Sequence, residues 1–227
     1  MFISIHIPKT AGTTLGYLLD HGTDRRILYL YRRDYANPGN EDADYWREHA
    51  AFVEQQFDVI HGHFYYQKFC DVFPRAHYIS CLRHPVKRMV SQWLHALKEG
   101  NNYIADAALQ GMTIVDWVAS DPGLTRVFKT HLGGRELKDY DFLFLSENFE
   151  ACWDLFSATF SFHRRDPDIG HGFPRMNDGR LRGPAPTLPD AQLQAVYAMC
   201  AEDVEVYKQA VELVYARLRK FQNSVTT

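Results

Sequence analysis

Three short stretches concentrate the residue types that hold anions and move protons. The first is Met1–Thr14, MFISIHIPKTAGTT, where Lys9, Thr10, Ala11, Gly12, Thr13 and Thr14 set one cation, three hydroxyls and a glycine into six positions. Unpaired backbone N–H groups at a helix start, the positive end of its dipole and a glycine admitting close approach make such a stretch a cradle for phosphate or sulfate. The second is Tyr78–Gln92, YISCLRHPVKRMVSQ, in which Arg83 offers a bidentate fork and Ser91, eight residues on, a hydroxyl. Both reach one anion if the intervening helix folds back past the strand end. Otherwise Arg83 serves a surface carboxylate and Ser91 a solvated helix face. The third is VIHGHFYY, residues 59–66, with His61 and His63 at a strand end. An imidazole titrates near neutral pH and takes a proton from an alcohol as that oxygen attacks. Strand alternation puts the two rings on one face, where one supports the other; the alternative is a pair hydrogen-bonded in a sheet edge.

The order of letters in the first stretch bears on its chemistry. A nucleoside-triphosphate loop reads G-x-x-x-x-G-K-[ST], whereas Lys9 precedes Gly12 by three residues and no first glycine is present. A kinase with ATP and magnesium therefore fits poorly, as does the lack of a clear carboxylate for the metal.

These stretches need a scaffold, and the hydrophobic pattern supplies one. Strand-like runs fall at Phe2–Ile7, Ile27–Tyr31, Val59–His61, Tyr78–Leu82 and Phe142–Leu145. Helical spacing appears at Thr13–Leu19, Ala43–Phe57, Pro85–Glu99, Thr113–Ala119, Leu124–Leu132, Phe149–Phe156 and Asp190–Phe221. Strands alternating with helices predict an α/β domain built on a parallel sheet of about five strands, flanked by helices and ending in a long helical segment. Ligands then sit at the carboxyl ends of the strands. Asn37–Asp44 reads as a polar loop. Phe162–Pro189, rich in Gly, Pro, Arg and His, reads as a long loop of the functional kind.

Composition bounds the rest. With 227 residues, 46% of them apolar, the chain can bury a full core as one domain, residues 1–227. A net charge of −3 gives no global pull toward nucleic acid or anionic membrane, so any anion site must be local. No window resembles a membrane span or a signal peptide, and a soluble, cytoplasmic protein is expected. Cys70, Cys81, Cys152 and Cys200 are widely spaced, which suits reduced structural thiols better than zinc, and no metal site is expected.

HIPKTAGTT at 6–14 followed by LRHPVKRMVSQW at 82–93 resembles the sulfotransferases that use 3′-phosphoadenosine 5′-phosphosulfate, in the branch of the heparan and dermatan sulfate 2-O-sulfotransferases. The resemblance looks extended: FLFLSENFEACWDLF at 142–156, RMN at 175–177 and DVEVYKQAVEL at 203–213 are similar to later parts of that family. It implies a P-loop-like α/β sulfotransferase domain whose co-substrate is that nucleotide and which needs no metal. Lys9 would neutralise the bridging and leaving oxygens, and Thr10, Ala11, Gly12, Thr13 and Thr14 would hold the 5′-phosphosulfate. Arg83 and Ser91 would hold the 3′-phosphate. His-Gly-His is similar to a motif of the uronosyl enzymes, which carries the base to His63 with His61 in support; other branches use a glutamate near the first helix, and none follows Lys9 before Glu41.

The implied reaction is in-line transfer of a sulfuryl group to a hydroxyl on a saccharide, lipid-linked sugar or small alcohol. Arg175, Arg180 and Arg182, with Arg164 and Arg165, would close over the nucleotide or receive the acceptor, or form a solvated loop. Arg25, Arg26, Arg32 and Arg33 would border the acceptor cleft or face solvent. Trp46, Tyr65, Tyr66 and Trp93 would stack on a ring or pack in the core. A module that binds the nucleotide without turnover is the remaining alternative; the oligomeric state is left open.

Overall fold

Phe2–Ile5 forms β1, every residue of which is buried, as befits a strand covered on both faces of a parallel sheet. In the computed structural model, which describes residues 1–21, 24–31, 42–98, 106–108, 110–162 and 188–225, β1 is the central strand of five. The others are β2 (Ile27–Leu30), β3 (Val59–Gly62), β4 (His77–Leu82) and β5 (Phe142–Leu145), in the order β2-β3-β1-β4-β5, all parallel. The predicted α/β architecture is the observed one. Because the chain leaves β1 toward the β2 edge, returns inward to β3 and then crosses β1 to continue through β4 to β5, the connections leaving the neighbouring strands β1 and β4 run in opposite directions, and the winding reverses at their carboxyl ends. That reversal opens a crevice beyond those strand ends.

The sheet is accompanied by helices α1 (Gly12–His21), α2 (Ala43–Gln56), α3 (Pro85–Lys98), α4 (Ile114–Ser120), α5 (Val127–Leu132), α6 (Phe149–Phe160), α7 (Asp190–Met199) and α8 (Ala201–Val225), with short 3-10 turns between some of the elements. The local signals are readable where they exist. Pro85 opens α3 with a preset φ and no N–H to satisfy. Thr113 and Asp116 form a reciprocal capping box on α4.

Two helical stretches depart from the predicted continuity. Leu124–Leu132 is split into a 3-10 turn, Pro122–Thr125, and α5, because the buried Asp203 carboxylate accepts the Phe128 N–H at 3.1 Å and so caps the start of α5 from another part of the chain. Asp190–Phe221 is split at Cys200, and the terminal helix extends to Val225. No Pro or Gly breaks it. The two parts share α3 but otherwise face different neighbours, α7 against α4 and α8 against α5, α6 and β5, and one straight helix cannot serve both.

Apolar burial follows the same division. The larger cluster fills both faces of the sheet; a second, holding Met89, Trp93, Ile114, Trp117, Val118, Val196, Cys200 and Val204, joins α3, α4 and α7 to the first turn of α8. Trp46 and Trp93 are both buried in these clusters, and Tyr66 packs against the Tyr78 ring, centroids 5.0 Å apart, so core packing is their role. All four cysteines are free thiols, and no helix of the described residues is long and apolar enough to cross a membrane.

Gly62, at the end of β3, is required by close approach: a Cβ there would lie 2.2 Å from the Leu30 carbonyl oxygen, a backbone atom that cannot yield. Gly62→Ala is expected to destabilise the fold by about 3 kcal/mol or more, read from the urea midpoint at unchanged m.

Candidate functional site

Beyond Ile5 the chain makes a tight loop before α1. Lys9 (φ 69) and Ala11 (φ 74) both take the left-handed conformation without being glycine, at a cost on the order of 1 kcal/mol each. Thr10, between them, is fully buried, and its hydroxyl donates to the Ile7 carbonyl at 2.8 Å. Its side chain therefore closes the loop on itself, leaving Thr13 and Thr14 to present hydroxyls at the first turn of α1. The need for Gly12 also has a different origin from the one expected. A Cβ at Gly12 would lie 1.8 Å from Cδ2 of His6, so the missing side chain makes room for an imidazole of the same loop.

Three imidazoles meet here. His6 stacks on His61, centroids 5.3 Å apart and 15° between planes, and leans on His63 at 4.3 Å. His61 is fully buried. Its Nε2–H donates to the Gly12 carbonyl (3.1 Å), and its Nδ1 accepts from the Ser4 hydroxyl (2.8 Å). Burial pulls its pKa down to about 3, so it stays neutral with both nitrogens occupied. It supports the site but takes no proton.

His63 is arranged differently. Its Nδ1 lies 2.7 Å from the His6 carbonyl, which can only accept, so Nδ1 carries the proton and Nε2 of the neutral ring keeps its lone pair. The ring is exposed on one side and lines the cleft, while desolvation on its packed side lowers its pKa. His6 is held in turn by the Tyr31 hydroxyl at 2.6 Å from its Nδ1, and burial lowers its pKa further, helped by His61 and His63.

Arg83, at the end of β4, donates from Nη1 to the Lys9 carbonyl at 3.3 Å and so ties the second stretch to the first. The turn after it is held from a distance: Glu147 accepts the His84 N–H at 3.0 Å on one oxygen, and the hydroxyls of Ser146 and Tyr207 at 3.0 and 3.1 Å on the other. Along α3, Lys87, Ser91 and His95 recur at helical spacing and line the same opening.

The result is a cleft of about 830 Å³ at the winding reversal. Lys9, Ala11, Gly12, Thr13, Thr14, His63, Arg83 and Ser91 all line it; Thr10 and His61 lie behind its wall. Arg175, Arg180 and Arg182, with Arg164, Arg165, Arg32 and Arg33, lie outside the described residues. Arg26 pairs with Asp58 at 3.3 Å and Arg25 covers the Phe162 ring at 4.9 Å, so neither borders the opening. A second hollow of about 590 Å³ lies between α5 and α8 and contains none of these residues. Among the described residues no group of three or more His, Cys, Asp or Glu side chains is placed to hold a metal ion.

Sequence reasoning missed His6, Tyr31, Lys87, Gln92, His95 and Glu147. Lys87 and His95 stand four residues either side of Ser91 and were within reach of periodicity; Glu147, 63 positions from its partner His84, carries no local signal. No protein-family model matches the chain, and no curated protein matches it.

The depressed imidazoles set an acid sensitivity. His61 (to about 3) and His131 (to about 4) bind protons in the unfolded chain from the ordinary value of 6.5 downward but not in the folded one, so their stabilisation is complete above 6.5 and is lost as pH falls. Asp203, raised to about 6, acts in the opposite direction as a single group. Stability is expected to fall from pH 6.5 to pH 4. His61→Gln should remove about one proton from that slope, about 1.4 kcal/mol per pH unit, measured by urea unfolding across the range.

Proposed function

We propose that this cleft binds 3′-phosphoadenosine 5′-phosphosulfate and transfers its sulfuryl group to an acceptor hydroxyl. The observation that carries the reading is the convergence of all three chemical stretches on one opening, with a tautomer-fixed imidazole on its wall. The 5′-phosphosulfate would lie against the loop, where Lys9, Thr13, Thr14 and the first amides of α1 meet it. The 3′-phosphate would lie between the Arg83 fork and Ser91.

In that arrangement the acceptor oxygen attacks sulfur, the bond from sulfur to the bridging phosphate oxygen breaks, and adenosine 3′,5′-bisphosphate leaves. The acceptor proton passes to Nε2 of His63. Lys9 offsets the charge that grows on the leaving oxygen, as cations do in the related transfer of phosphoryl groups. The opening carries Lys9, Arg83 and Lys87 on a chain whose net charge is −3, which suits a small anion better than a polyanion. A saccharide or small alcohol is the acceptor class we infer.

Thermal unfolding tests the nucleotide. Adenosine 3′,5′-bisphosphate at 100 times its Kd should stabilise by about 2.7 kcal/mol and AMP at the same concentration by less. Stabilisation by ATP with magnesium alone would replace this reading by a kinase.

Transfer from the sulfate donor tests the base. His63→Ala should slow transfer by about 10²–10⁴-fold while bisphosphate binding is retained. Because the His63 pKa lies below 6.5, the wild-type rate should be level through neutral pH and decline only as pH falls through that lowered value. An unchanged rate in His63→Ala would remove His63 from the mechanism.

A further inference from the structure

Arg88, on α3, is fully buried behind the wall of the cleft. Its Nη1 donates to Oε1 of Gln92 at 2.6 Å and its Nη2 to the Leu124 carbonyl at 2.7 Å, which fastens the 3-10 turn to α3. The buried Asp203 carboxylate supplies the compensating charge. A guanidinium has donors and no acceptor, so the end of the Gln92 amide turned toward Arg88 must be the oxygen. The –NH₂ end is therefore the one left to the cleft, which Gln92 lines beside Ser91. A terminal amide torsion is broad, and an unheld glutamine presents either end to a ligand. This one is held with its donors outward.

We propose that Gln92 is a specificity-determining donor to the 3′-phosphate, and that Arg88 is the positioning residue that keeps its amide oxygen turned away. The proposal rests on the reading of the cleft given above and adds to Arg83 and Ser91 a third donor, neutral and of fixed orientation. Two N–H groups that cannot be exchanged for an oxygen favour a phosphate over a ribose hydroxyl, since a hydroxyl is served by either end of an amide.

The test is calorimetric titration of the full chain with adenosine 3′,5′-bisphosphate and, separately, with AMP. Gln92→Glu keeps an oxygen for Arg88 but turns an anion to the cleft; Gln92→Met removes the donors without adding charge. Against the wild type, Gln92→Glu should lose about 100-fold and Gln92→Met about tenfold in bisphosphate affinity, with AMP affinity within about twofold. Bisphosphate affinity unchanged in both variants would overturn the proposal, and so would equal losses for bisphosphate and AMP, which mark a merely structural role. A wild-type chain that does not prefer the bisphosphate over AMP would instead overturn the reading of the cleft and this proposal with it.

Discussion

The site depends on one buried neutral imidazole. His61 joins three elements: it rides on β3, accepts from Ser4 of β1 and donates to Gly12, the first residue of α1. Glycine at position 16 is a consequence, since a Cβ there would stand 2.7 Å from Nε2 of His61. Through this contact the start of α1 is fixed to the sheet, and with it the orientation of the amides that open onto the cleft. The low dielectric that makes the pair of hydrogen bonds strong is the same that makes a charge on this ring costly. Anchoring and acid sensitivity are one property.

His6 converts that anchor into a chemical arrangement. Its ring fills the space a side chain at Gly12 would take, stacks on His61 and touches His63, while its carbonyl fixes the His63 tautomer. His61 in β3 and His63 just beyond its end are thereby driven to different ends: one spends both nitrogens on structure, the other keeps a lone pair at the wall of an opening. Spacing alone made them equivalent. Burial and partner geometry separate them.

Charge is handled locally. Net charge gives the chain no general attraction for anions, yet Lys9, Arg83 and Lys87 share one opening. Buried charges elsewhere are structural. Lys68 donates to both oxygens of Asp42 at 2.7 Å beneath the start of α2, Arg88 ties α3 to the 3-10 turn, and Asp203 ties α8 to the start of α5. The hydrogen bonds that Lys68, Arg88 and Asp203 make offset part of their desolvation. Glu147 does the corresponding task at the surface, holding the turn that carries Arg83 to α8 through Tyr207.

Much of the fold was legible in the chain because its signals are local: β-branched runs for strands buried on both faces, Pro85 and Thr113 for helix starts, and strand-helix alternation for a parallel sheet. Candidate residues Lys9, Thr13, Thr14, His63, Arg83 and Ser91 were legible for the same reason, since loops that follow strands of such a sheet collect at one edge. What lay beyond reading were the contacts between distant positions. The break at Arg126 comes from a carboxylate 77 residues on, and the withdrawal of Thr10 and His61 from the cleft comes from hydrogen bonds that exist only once the loop is folded. Sequence alone determined which chemistry was on offer and where along the chain. Tertiary structure decided which side chains are spent on holding the site and which face it, because that choice belongs to burial and to partners that no spacing encodes.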